Sequence, residues 1–143
     1  MEDFVPYKLA VKLKEKEFNE LCLAYYTNDE TLYYNYSHKA GASYTDCYLS
    51  HNLMPKDSVS GKFVDAPTIS QVLKWLREEK KIYICIDIYT DGWLFDISTC
   101  EKEDELFSTE FLFMSRSETI SYPSYEECAL EGIKYVLDNF IWT

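Results

Sequence analysis

The sequence predicts an α+β fold, an antiparallel sheet of about five strands with helices packed on one face, in the order α-β-β-loop-α-β-β-β-α. Three observations lead there. Thr68-Ile69-Ser70-Gln71 and Ser124-Tyr125-Glu126-Glu127 are capping boxes, and each opens a run with apolar residues at helical spacing. Ile82, Ile84, Ile86 and Ile88 alternate with Tyr83, Cys85, Asp87 and Tyr89, the period of a strand with one buried face. Asp91-Gly92 follows at once and reads as a two-residue type I′ turn, because that pair accepts the positive φ angles the turn demands.

The first element is a short surface helix over about Pro6 to Lys16, with Pro6, Leu9, Ala10 and Leu13 on one stripe and lysines on the other. Next, "CLAYY" and "LYYNY" are β-rich and separated by the polar Thr27-Asn28-Asp29-Glu30, so they form a hairpin. Residues 37–65 lose the pattern apart from a short strand around Tyr44 to Leu49, and a loop of that length is functional or mobile. A helix from Thr68 to Lys81 then carries Ile69, Val72, Leu73 and Leu76 inward, with Trp75 at the flank.

The isoleucine strand and its turn set a register. Thr90 falls opposite Trp93, Ile88 opposite Phe95, Ile86 opposite Ile97, and Asp87 directly opposite Asp96 on the polar face. Beyond "CEKEDE", Phe107, Thr109, Phe111 and Phe113 alternate as a third strand. The final helix buries Tyr125, Cys128, Ala129, Gly132, Ile133, Val136, Leu137 and Phe140, with Gly132 marking a close approach to the sheet.

Bulk properties bound the function. A chain of 143 residues, 47% hydrophobic and 17% aromatic with four Gly and four Pro, suits one globular domain over 1–143. The charged N-terminus lacks the apolar run of a signal peptide or membrane span, so a cytoplasmic location is expected. Five scattered cysteines without a C-x-x-C argue for reduced core thiols, against a disulfide framework or zinc ribbon. The net charge of −11 disfavours nucleic acid and anionic membranes as partners. Eight acidic residues lie between Asp87 and Glu110 against Lys102 alone, a net −7 for that segment.

Each candidate site has a plain alternative. The helix from Thr68 offers only Ser70, Gln71, Lys74 and Arg77 to read DNA and follows a loop, so it reads as a core helix. Asp87 and Asp96 could bridge a hard cation, although solvated acids explain them as simply. His38, Cys47 and His51, with Asp46, match no common zinc spacing, and nothing activates the thiol as a nucleophile. Among the thirteen tyrosines, Tyr33 must face away from Tyr34 and Tyr36, and Tyr89 lies on the polar face of its strand. Tyr33, Tyr34, Tyr36 and Tyr89 are the candidate binding surface, since exposed tyrosine is enriched at protein interfaces.

"APTISQVLKWLREEKKI" and "SYPSYEECALEGIKYVLDN" resemble two blocks shared by short proteins of Bacteroides-type gut bacteria and their phages or prophages. "LKEKEFNE" is similar to a third block, in which Gly stands where this chain has Glu17, a difference that leaves the end of the first helix open. The resemblance covers about a third of the chain and consists of helix caps and core stripes. It implies a shared fold; the group has no assigned activity, and no catalytic residue is carried over.

The expected function is a small acidic, non-enzymatic protein-binding module of phage or mobile-element type, without cofactor, whose partner is another protein or a second copy of the chain. The alternatives are a nucleic-acid-mimicking inhibitor of a host enzyme acting through the 87–110 acids, and a divalent-metal site at Asp87 and Asp96.

Overall fold

The computed structural model describes residues 3–34, 63–103, 106–115 and 120–141. The elements are α1 (Tyr7–Glu15), β1 (Ala24–Tyr26), β2 (Leu32–Tyr34), β3 (Val64–Ala66), α2 (Ile69–Glu79), β4 (Ile82–Tyr89), β5 (Gly92–Thr99), β6 (Glu101–Glu103), β7 (Leu106–Ser108), β8 (Phe111–Met114) and α3 (Tyr125–Asn139). The class is α+β, as expected. The strands do not form one sheet of about five: β2-β1-β3 and β4-β5-β8 are separate three-stranded antiparallel sheets, and β6-β7 is a two-stranded ribbon. The chain divides after Thr68 into two compact units, each with its own three-stranded sheet.

In the first unit, β1 is central and pairs Tyr25 with Tyr33 on one side and with Asp65 on the other. Its third strand, β3, lies at the end of the stretch read as loop. Three-residue strands bury little, so the sheet depends on α1, whose Leu9, Ala10 and Leu13 are buried as the stripe predicts. Tyr26 is also buried, and its hydroxyl donates to the Val5 carbonyl at 2.7 Å.

Helix α1 ends at the position the sequence left open. Glu17 adopts φ +64°, and the Phe18 amide donates to the Leu13 carbonyl at 2.9 Å, the long closing bond of a left-handed helix stop. A side chain in that conformation costs about 1–2 kcal/mol, which glycine avoids while losing more chain entropy on folding. Glu17→Gly is therefore expected to stabilise the protein by roughly 0.5–1 kcal/mol. Thermal denaturation checks this, and an unchanged or lowered midpoint would show that the helix end carries no strain.

In the second unit, α2 buries Ile69, Val72, Trp75 and Leu76, so it is the core helix the sequence predicts, with Trp75 inside and Leu73 only half-buried. Lys80 Nζ lies over the Trp75 ring, 5.2 Å from its centroid. Helix α3 starts as its capping box predicts, Ser124 Oγ accepting from the Glu127 amide at 3.2 Å. Its buried face is Cys128, Ala129, Gly132, Ile133, Val136 and Leu137.

The β4–β5 register differs from the expected one. The pairs are Ile84↔Ile97, Ile86↔Phe95, Ile88↔Trp93 and Tyr89↔Gly92, so Thr90 and Asp91 form the turn. A type I′ turn needs positive φ at both central residues, yet here the positive angle, +134°, belongs to Gly92 one place later. Every residue of β4 thus meets a partner two positions from the expected one. A two-residue slip preserves the faces, so Ile84, Ile86 and Ile88 still meet apolar residues, while Ile82 meets Thr99.

The predicted strand through Phe107 and Phe113 is broken in two. Leu106–Ser108 folds back on Glu101–Glu103, and only Phe111–Met114 joins β5. Phe113 pairs with Ile97 but Phe111 with Ser98, so Leu112 is an extra residue in a bulge. The bulge turns Phe111 to the opposite face from Phe113, leaving Phe111 72% exposed.

Candidate functional site

The described residues singled out in the sequence lie in both units. Asp87 is not opposite Asp96: it faces Leu94, while Asp96 faces Cys85. The two acids are therefore diagonal neighbours on one face, both beside Cys85, with no direct opposition, and among the described residues no group of three or more His, Cys, Asp or Glu could hold a metal ion. Tyr33 is 46% exposed and stacks on Tyr25 with centroids 5.7 Å apart; Tyr34 is half-buried, edge-on to Phe4 at 5.6 Å. Tyr89, in the other unit, is 45% exposed. Tyr36, His38, Asp46, Cys47 and His51 lie outside the described residues.

Cys22, Cys85 and Cys128 are buffered against reactivity. Cys85 Sγ donates to Asp87 Oδ2 at 3.4 Å, and burial followed by that bond and the charges of Asp87 and Asp96 raises its pKa. Burial pushes Cys22 up to about 12, helped by Asp65 and Glu20, and likewise Cys128 up to about 12, helped by Asp96. A nucleophilic cysteine needs the opposite shift. At pH 8, Cys22 and Cys128 are expected to resist iodoacetamide in the native protein and to label readily in urea, as read by peptide mass spectrometry. Equal labelling rates in both conditions would contradict their burial. A thiol whose pKa is raised by folding contributes its full stability below the ordinary 9.0 and loses it as pH rises through the folded value, so these two sites weaken the protein only in strong alkali.

The most distinctive surface is the end of the β4–β5 hairpin. Burial fades along the isoleucine row: Ile82 and Ile84 are buried, Ile86 is half-buried, and Ile88 is 66% exposed. The row was expected to point inward throughout, but the hairpin outruns the helices that cover its base. Ile88 pairs with Trp93, whose ring meets Tyr125 edge-on at 5.7 Å and 87°. Tyr125 is the first residue of α3 and, unlike its predicted burial, is exposed.

This end is held in place by the segment before α3. The Trp93 amide donates to the Tyr122 carbonyl at 2.8 Å, the Tyr122 amide returns to the Trp93 carbonyl at 2.9 Å, and Ser121 Oγ donates to the Asp91 carbonyl at 3.0 Å. The two amide bonds and the hydroxyl bond make the apolar end a rigid feature, which lowers the entropy lost when something binds it. Asp87, Asp91 and Glu126, all exposed, neighbour its apolar residues in sequence. No Lys or Arg occurs from residue 82 to 101. Sequence reasoning found Tyr89 but missed Ile88, Trp93 and Tyr125, because periodicity assigns faces and says nothing about how far a covering helix reaches.

No helix among the described residues is long and apolar enough to cross a membrane. No family model, curated protein or solved structure matches the chain.

Proposed function

We propose that this protein is a small acidic, non-catalytic binding module that grips a partner protein with the end of its β4–β5 hairpin. The supporting observation is Ile88, 66% exposed and continuous with Trp93 and Tyr125 on a braced backbone. A large apolar residue beside aromatic anchors is the usual composition of an energetic hot spot. The flanking carboxylates select the occupant: an apolar pocket rimmed by Lys or Arg, since a second acidic copy would bring like charges together. A phage or mobile-element protein acting on a host target fits this mode of action.

The test is Ile88→Asp. It is expected to weaken partner binding by about 2 kcal/mol, roughly thirtyfold, while changing stability by less than about 0.5 kcal/mol because the residue is exposed. A photocrosslinking residue at position 88 identifies the contact, and high salt should slow association. Unchanged recovery of a crosslinked partner by Ile88→Asp would sink the proposal. If binding instead survives that change, is lost on neutralising Asp87 and Asp91, and competes with DNA, the nucleic-acid-mimicking reading takes its place.

A further inference from the structure

We propose that a second site, distinct from the hairpin end, binds a small zwitterionic solute of the betaine or amino-acid class in a cavity between β5, β8 and α3. The cavity measures about 260 Å³, room for roughly eight waters at ~30 Å³ each, and so for a solute of about ten heavy atoms. Its walls carry three kinds of recognition chemistry.

The first is aromatic. Phe95, Phe113, Tyr122 and Tyr135 line it. The Phe113 and Tyr135 rings stack at 4.0 Å, and Phe95 lies 5.8 Å from Phe113, 6.0 Å from Tyr122 and 6.4 Å from Tyr135. The rings stack partly on one another, and the π surface that remains turned to the cavity attracts an ammonium or quaternary ammonium group through the ring quadrupole.

The second is charge of both signs from one helix. Glu131, Lys134 and Asp138 border the cavity at i, i+3 and i+7 of α3. The two carboxylates outnumber Lys134, so the rim favours a positive group and disfavours a plain anion, while Lys134 supplies a cationic contact for a carboxylate on the same solute. A zwitterion sets its positive end against the rings and acids and its carboxylate toward Lys134.

The third is a buried donor. Ser115 lines the cavity and is 1% exposed. Its Oγ accepts the Phe95 amide at 2.9 Å, while among the described residues no acceptor takes its own hydroxyl proton. Donors this buried are normally satisfied, and a carboxylate oxygen in the cavity would complete the pair.

The experiment is calorimetric titration of the full chain with glycine betaine, with choline supplying the cation alone and acetate the anion alone. Betaine is expected to bind at least about tenfold more tightly than either. Lys134→Met, at an exposed position that should not disturb folding, is expected to weaken betaine about tenfold and leave choline unweakened. Ser115→Ala should weaken betaine similarly. The proposal is overturned if betaine gives no saturable heat up to tens of millimolar, or if choline binds as tightly as betaine and Lys134→Met changes neither. Neither result bears on the hairpin end, which shares none of the charged or hydroxyl groups invoked.

Discussion

Replacing Gly132 by valine is expected to destabilise the protein by about 3 kcal/mol or more and to lower its melting midpoint by more than about 10 °C. A Cβ at this position would lie 3.0 Å from Ile84 Cγ2 and 3.4 Å from Phe95 Cγ. Both neighbours are core residues, 6% and 2% exposed, so neither can swing into solvent. Alanine is the informative intermediate. Its helix propensity exceeds that of glycine by about 1 kcal/mol, which offsets part of the cost of pushing Ile84 aside by a few tenths of an ångström. Valine adds two further methyls in a β-branched arrangement, and α3 must then lift from the sheet. A valine variant melting within about 2 °C of the parent would show that the helix and sheet are not in the close contact described.

Gly92→Ala is expected to cost about 3 kcal/mol, through a different mechanism. The residue holds φ +134°, where an L side chain is strained, and an added Cβ would come within 2.7 Å of the Tyr122 carbonyl oxygen. That oxygen is backbone and already accepts the Trp93 amide, so it cannot move without breaking the brace. Strain of about 1–3 kcal/mol and the loss of one or two hydrogen bonds at about 1 kcal/mol each make up the expected total. Hydrogen exchange separates this from general loosening: the Trp93 and Tyr122 amides should lose protection ahead of those of Ile84 and Ile97. If Trp93 stays as protected as in the parent, the close approach at Gly92 is not what holds the hairpin end. Because Trp93 carries the contact to Tyr125, the same change should also weaken any partner that reads Ile88.

How much of this was readable beforehand depends on the kind of signal each element offers. Helix α3 was legible in its start and in the middle of its buried stripe, since Ser124 caps Glu127 and Gly132 meets Ile84, while Tyr125 and Phe140 at the two ends of that stripe are exposed and half-buried. The β4–β5 pairing was legible only in its faces. Apolar residues occur at every second position on both strands, so partners two residues apart satisfy the pattern equally, and turn geometry had to choose. The direct opposition of Asp87 and Asp96 was lost with that choice, because it depends on register as well as on face. The hairpin-end surface and the cavity had no sequence signature. Ile88 has the same periodic position as Ile84, and Ser115 is one serine among many until its hydroxyl is seen to lie 1% exposed beside four rings.

The sequence by itself determined which residues are helical, which strands have an apolar side, the α+β class and the acidic character, because these follow from local periodicity, capping and composition. Tertiary structure decided the division of the strands into two sheets and a ribbon, the partner of each β4 residue, the bulge that turns Phe111 outward, and the points where the apolar row leaves the core. Those outcomes depend on lengths and close approaches between elements distant in the chain. A period of two cannot encode which neighbour a strand meets, or where the helix above it ends.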